Sequence, residues 1–184
     1  MSVIDMVFEG GGAKGMVFVG ALEELLRDGS HSSGRLLGTS AGAITAVLLA
    51  AGYSVAEMQA ALVEKDAAGH SVFESFMGMP APFSPDQVRD SAVRSFLDEM
   101  DLPFVPDFAE THIDDWIASK MAESGWPRNL FSFVERGGWY SADAFTAWME
   151  RKLNEGVFEG KPRDFGNLTL AQLHERTGRE VTVV

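Results

Sequence analysis

The sequence predicts an α/β fold: three layers around a largely parallel central sheet, with a helical insertion. Three observations carry this. Two short apolar runs each lead through a glycine-rich turn into a helical pattern, and the chain closes on a third apolar run. Between the early and late parts lies a stretch where the periodicity is lost and proline and aromatic residues accumulate. With 184 residues, the chain is read as one domain, 1–184, truncated at its C-terminus, with an insertion or cap at 66–138. A hydrophobic content of 46% against 23% charged residues supports a substantial core and excludes a disordered or fibrous chain. Cysteine is absent, which removes disulfides, thiol nucleophiles and cysteine-ligated zinc. The formal net charge of −12 argues against nucleic acid as a partner, because phosphate backbones repel such a chain. Neither a membrane-spanning run nor a basic signal region is read, so the expected location is cytoplasmic, with contact at a membrane periphery as the alternative.

Taken in order, Val3, Ile4, Met6, Val7 and Phe8 form a nearly all-apolar run, as in a strand covered on both faces. Gly10 to Gly15 follow. A helix then places Val17, Leu22, Leu25 and Leu26 on one face, and Gly29 closes it. A polar loop from Ser30 to Gly34 leads into a minimal strand, Arg35 to Leu37. Gly38-Thr39-Ser40-Ala41-Gly42 precedes a helix from Ala43 to Ala51 that is apolar nearly all round and is expected to be buried. Ser54 and Glu57 form a capping box for a helix over 55–65. Within the irregular stretch, Ser84, Pro85 and Gln87 signal one further helix start. Ser141 is expected to cap a helix carrying Phe145, Trp148, Met149 and Leu153, closed by Gly156. Thr169 and Gln172 open a short helix ending near Gly178, and Val181 to Val184 read as the last strand. A chain that stops on a core strand is the reason for reading a truncated boundary.

Two glycine motifs carry the chemistry. Gly38-Thr39-Ser40-Ala41-Gly42 fits G-x-S-x-G, in which a serine is raised on a sharp strand-to-helix turn. Its neighbours two residues away on each side must be small, and the following helix points N–H groups at a developing oxyanion. The bland alternative is a glycine-rich turn with a helix-capping serine. Gly10-Gly11-Gly12-Ala13-Lys14-Gly15 has three readings. As a dinucleotide fingerprint it wants an acidic residue at the end of the second strand, where Leu36-Leu37-Gly38 stands. As a P-loop it fails, because Lys is not followed by Ser or Thr in the required place. As an oxyanion hole it fits, since consecutive glycines bare backbone N–H groups at a helix start.

Together the two motifs resemble the patatin-like phospholipases, whose signature is a G-G-G-x-[RK]-G loop ahead of a G-T-S-A-G elbow. Every signature position matches, with Lys14 in the basic slot. The similarity covers about residues 1–65 and, less closely, 137–184. The resemblance implies Ser40 as the nucleophile, with the Gly10, Gly11 and Gly12 loop and Ala41 as the oxyanion hole. Lys14, Gly15, Gly38, Thr39 and Gly42 would be motif or substrate-binding positions. It implies a Ser-Asp dyad cleaving fatty-acyl esters of phospholipids or other acyl lipids, with no cofactor and no metal. The family's aspartate stands in an Asp-Gly-Gly or Asp-Gly-Ala turn, and this sequence has none; Asp28-Gly29 is read as a helix C-cap. The dyad partner therefore lies beyond Val184 or the chain is an inactive, lipid-binding relative, and truncation is the expectation. A Ser-His-Asp esterase is the rival enzyme, disfavoured because the elbow follows only the second strand.

Among other residues, His31, His70, His112 and His174 show no metal-ligand spacing, and His174 is read as a surface residue. Asp98-Glu99 and Asp114-Asp115 read as solvated helix faces. Lys14 suits either an anionic headgroup or a loop carboxylate. Phe73, Phe76, Met77 and Met79 are read as core, with a lipid-facing lip as the alternative.

Overall fold

In the computed structural model of the chain, residues 2–12, 15–99 and 125–184 are described, the side chains of 85 and 96–99 aside. They divide into two compact units, Met1–Phe73 with Phe145–Val184, and Glu74–Ala144.

The first unit is built on a parallel three-stranded sheet. Strand β1 (Ser2–Phe8) pairs with β2 (His31–Gly38), and β2 pairs with β5 (Val181–Val183), giving the order β1-β2-β5. The register aligns Met6 with Leu36 and Leu36 with Val181, all three buried. Strand β2 begins four residues earlier than its composition suggests. Ser32, Ser33 and Gly34 are poor strand formers, and pairing with β1 is what extends them. The register shifts between Ile4 and Met6, and there Asp5 accepts hydrogen bonds from the Arg35 amide (2.8 Å) and Nε (2.9 Å). The exposed pair keeps the Asp5 carboxyl below the usual carboxylate range through those Arg35 bonds.

Helices α1 (Gly15–Leu26) and α2 (Ala41–Ala50) pack over the face carrying Met6, Phe8 and Leu36, and α1 also packs on α3 (Val55–Leu62). The Phe8 and Phe18 rings meet edge to face at 5.7 Å. The opposite face is bare among the described residues: Val3 is 71% and Val7 74% exposed. The run was expected to be covered on both faces; period-two alternation leaves it covered on one. The stripe of α1 is corrected too. Gly15, Val19 and Leu22 are buried and Val17 points out, because the sheet is met by the i, i+4, i+7 row. Helix α2 is buried on most sides, at Gly42, Thr45, Ala46, Leu48, Leu49 and Ala50.

The Ser54 box opens α3, but that helix stops at Leu62, before Glu64 and Lys65. The chain then turns back on itself, with the Val72 amide donating to the Glu64 carbonyl at 3.1 Å. A 3-10 helix follows at Val72–Met77. In the second unit, α4 (Pro85–Arg89) starts at the Ser84–Gln87 box, followed by α5 (Ala92–Glu99) and α6 (Gly125–Arg136). Its core is Phe83, Val88 and Phe131, with Val93 against it. Met77 and Met79 are exposed there, so the core reading of these two fails. The readings of His112, Asp114 and Asp115 lie outside the described residues, as do the side chains of Asp98 and Glu99.

Helix α7 (Asp143–Asn154) starts two residues after Ser141, whose hydroxyl accepts from the Asp143 amide at 3.1 Å. A two-residue hairpin, β3 (Val157–Phe158) with β4 (Lys161–Pro162), turns through Glu159 and Gly160, both at positive φ. Helix α8 (Leu170–Thr177) has the Thr169–Gln172 box and a left-handed cap at Gly178. Among the described residues no helix is long and apolar enough to cross a membrane.

Candidate active site

Strand β2 ends at Gly38, and the chain reverses within two residues into α2. The reversal needs an unusual backbone. Ser40 stands at φ 51°, ψ −122°, where a side chain crowds its own main chain. What holds it there is the surrounding hydrogen bonding. The Thr39 amide donates to the Phe8 carbonyl (3.1 Å), the Gly42 amide to Thr39 O (2.9 Å) and the Ala43 amide to Ser40 O (2.9 Å). Beyond the elbow, Val184 N donates to Gly38 O at 3.0 Å.

The two flanking glycines are there for space. A Cβ on Gly38 would stand 2.6 Å from the Ala43 Cα, and one on Gly42 would meet the carbonyls of Phe8 and Glu9. Both are buried, whereas Ser40 and Thr39 are exposed. The Ser40 hydroxyl makes no capping bond to α2, so the reading as a plain helix cap does not hold.

The first glycine loop meets the second at this serine. A Cβ added to Gly10 would lie 3.2 Å from the Ser40 Cβ and 3.9 Å from its Oγ. Gly12 takes φ +57°, which bends the loop in a way most side chains resist. Gly11 and Gly12 are exposed, and Gly15 is buried as the first residue of α1. Ala41 opens α2, and its amide, one of the donors that a helix start leaves free, has no partner among the described residues. Gly10, Gly38, Thr39, Ser40, Ala41 and Gly42 thus come together. Lys14 lies outside the described residues.

His31 and His70 are engaged elsewhere. His31 Nδ1 and Ser2 Oγ are 2.6 Å apart on the sheet, and Asp66 accepts from the His70 amide at 2.9 Å. His174 is exposed on α8, as the sequence suggests.

The far end of α2 holds residues that sequence reading missed. About 15 Å along the helix from Ser40, by the rise of ten residues, a cavity of about 430 Å³ is lined by Tyr53, Glu57, Glu64, Lys152, Glu155 and Arg163. Arg163 is buried and donates to Ala51 O (3.2 Å), Gly52 O (3.3 Å), Glu155 O (3.0 Å) and Glu57 Oε1 (2.8 Å). Its guanidinium lies over the Tyr53 ring at 4.0 Å. Lys152, also buried, pairs with Glu155 (2.6 Å) and Glu64 (3.0 Å). Burial, together with the charge of Glu155, pushes the Tyr53 hydroxyl up to about 12, and that hydroxyl donates to Lys152 O at 2.5 Å. Burial alone would raise Glu57 and Glu64. The Ser54 amide and Arg163 outweigh it at Glu57, and Lys152, Arg151 and the Trp148 indole outweigh it at Glu64, so both sit below the usual carboxylate range. Here the charges answer one another, which makes this cluster the anchor of α2. No local pattern announces it, since Arg163 reaches Ala51, Gly52 and Glu57 across more than 100 residues of sequence.

A parallel sheet with helices packed on it, and an exposed serine on a strained strand-to-helix turn beside a glycine loop, define an α/β protein with a G-x-S-x-G turn. The chain belongs to the patatin-like phospholipase family, whose profile matches residues 6–183. Members of that family are lipid acyl hydrolases. An uncharacterized protein of Bacillus subtilis (strain 168), YqhO, is 48% identical over 63 residues, which is 34% of this chain and 21% of that protein. The chain thus matches about a fifth of that relative's length. No solved structure matches.

Proposed function

We propose that Ser40 is the nucleophile of a serine acyl hydrolase acting on fatty-acyl esters of phospholipids or related lipids. The Ser40 oxygen attacks the acyl carbonyl and the alcohol portion leaves, giving an acyl-serine that water then hydrolyses. The oxyanion is held by backbone N–H groups of Gly11, Gly12 and Ala41, with the Gly10 backbone keeping the loop against the serine. One observation carries this reading: an exposed, strained serine whose Oγ lies within 3.9 Å of where a Gly10 side chain would begin. The Ala41 amide, without a partner among the described residues, supports it. Thr39, Gly38 and Gly42 shape the turn, and Gly15 seats α1. Lys14, in the basic slot of the glycine loop, is read as holding an anionic headgroup at a helix start, with a loop carboxylate as the alternative.

The hydroxyl proton must leave as the acyl bond forms. Residues 1–184 hold no Asp-Gly-Gly or Asp-Gly-Ala turn to receive it, and a lipid-binding relative without turnover is the second reading. We also read 66–138 as a helical insertion within one patatin-like domain. The separation of Glu74–Ala144 as its own compact unit supports the insertion.

A fluorophosphonate probe tests the proposal. Ser40 is expected to be labelled slowly in the native chain, and Ser40→Ala not at all. A native chain that resists labelling at high probe concentration, yet still binds lipid, would establish the second reading instead. Equal labelling of Ser40→Ala would sink the assignment of the nucleophile.

A further inference from the structure

Helix α2 ends against two guanidiniums. The last turn of any helix leaves carbonyls that the helix itself cannot satisfy. Arg163 donates to Ala51 O and Gly52 O, and Arg179 Nη1 donates to Leu49 O, which also accepts from the Gly52 amide at 3.1 Å. The two arginines differ in their counter-charge. Glu57 lies 2.8 Å from Arg163 Nη2 and answers it. Arg179 meets no carboxylate at ion-pair distance among the described residues. The carboxylate that bears on it is Glu159, exposed at the tip of the β3–β4 hairpin. Its other neighbour is the Phe158 ring, whose centroid is 5.9 Å from Arg179 Cζ. Burial holds this guanidinium below the ordinary arginine value, yet an arginine stays charged at neutral pH. The charge is also firmly placed. Arg179 follows the left-handed Gly178 cap of α8, its amide donates to Thr177 Oγ1 at 3.2 Å, and two residues on Val181 pairs with Leu36. Both α8 and β5 pack on α2.

We propose that Arg179 is a positioning residue for the Ser40 elbow: its charge, seated on Leu49 O, favours an anion at Ser40 through the length of α2. Ser40 precedes Leu49 by nine residues, which puts the guanidinium on the order of 15 Å away along the helix axis. Helix α2 is buried on most sides and carries no ionisable side chain, so nothing along it opposes the charge. A cation at this end also covers the negative pole of the helix, leaving the positive pole at Ser40 less opposed. At about 15 Å, with an effective dielectric of about 20–40, one unit charge alters an ionisation constant about three- to sixfold. That is the size of an assisting effect, well short of what a base supplies. The inference deepens the reading of Ser40 as the place where negative charge develops, and rests on that reading for its functional meaning. The field itself can be measured without turnover.

Ser40→Cys tests it, because the chain has no other thiol. The ionisation constant of the introduced thiol is read from the pH dependence of iodoacetamide alkylation at low ionic strength. In this background Arg179→Gln keeps a donor for Leu49 O and removes the charge; it is expected to lower the constant about threefold. Arg179→Lys keeps the charge and is expected to leave the constant within about 1.5-fold of its parent. Glu159→Gln removes the opposing carboxylate at an exposed turn and should raise it. Glu9, beside the first glycine loop, is common to every variant, so its contribution cancels. Circular dichroism melts check that each variant is folded. A role confined to holding the helix end would move the glutamine and lysine variants alike, and that result overturns the proposal. So does a constant that no Arg179 variant changes. Should Arg179→Gln fail to fold, the Glu159→Gln arm decides, and an unchanged constant there is equally fatal. A native chain that resists the fluorophosphonate while the introduced thiol responds as stated keeps this inference and loses the assignment of the nucleophile.

Discussion

Gly42 rests its bare Cα against the carbonyl oxygen of Phe8, so close that a β-carbon would overlap it. The same Phe8 oxygen accepts the Thr39 amide at 3.1 Å. The end of β1 and the start of α2 are therefore joined without any side chain between them.

Gly42→Ala is expected to lower stability by about 3 kcal/mol, since backbone rather than a movable side chain stands in the way. For a chain of this size that is a fall in Tm of about 6–12 °C, readable by calorimetry. A melt unchanged from the native one would show that the first turn of α2 can shift aside.

Ser40→Gly should be more stable than Ser40→Ala by about 1 kcal/mol, because glycine accepts the positive φ without crowding. Paired thermal melts decide it. Equal stability would mean that the elbow carries no backbone strain.

Removal of Arg163 should be severe. Arg163→Met strands the Glu57 carboxylate and three carbonyls, Ala51, Gly52 and Glu155, with an expected loss of about 3–5 kcal/mol. Arg163→Lys should recover little, as an ammonium cannot reproduce the planar fork over Tyr53. Chemical denaturation of the two variants checks both statements.

Glu57 and Glu64 make the fold sensitive to acid. Their folded-state pKa values lie below the unfolded ones, so the unfolded chain binds more protons in that range. The stability they contribute is complete above the ordinary glutamate value, about 4.3, and is lost as the pH falls through their lower folded values. Glu57→Gln should flatten that part of a Tm-against-pH curve. An identical slope in the variant would refute the coupling.

Legibility in the sequence follows the range of the interactions. The elbow, the glycine loop and the three capping boxes at Ser54, Ser84 and Thr169 are local, and each is visible within six residues. Strand β2 is half hidden, because Ser32, Ser33 and Gly34 become a strand only through β1. Val17 turns outward from α1, and the choice between two apolar rows there depends on where the sheet lies. Arg163 gave no signal at all. It sits between Pro162 and Asp164 just after β4, and its importance comes from carbonyls over 100 residues earlier.

Helix α2 runs Ala-Gly-Ala-Ile-Thr-Ala-Val-Leu-Leu-Ala, without one ionisable group along its length. The positive end that it presents toward Ser40 thus arises from peptide dipoles alone. Protons have nothing on this rod to titrate. Retuning the pull on an incoming anion would require altering its span, or the guanidinium that steadies its opposite tip.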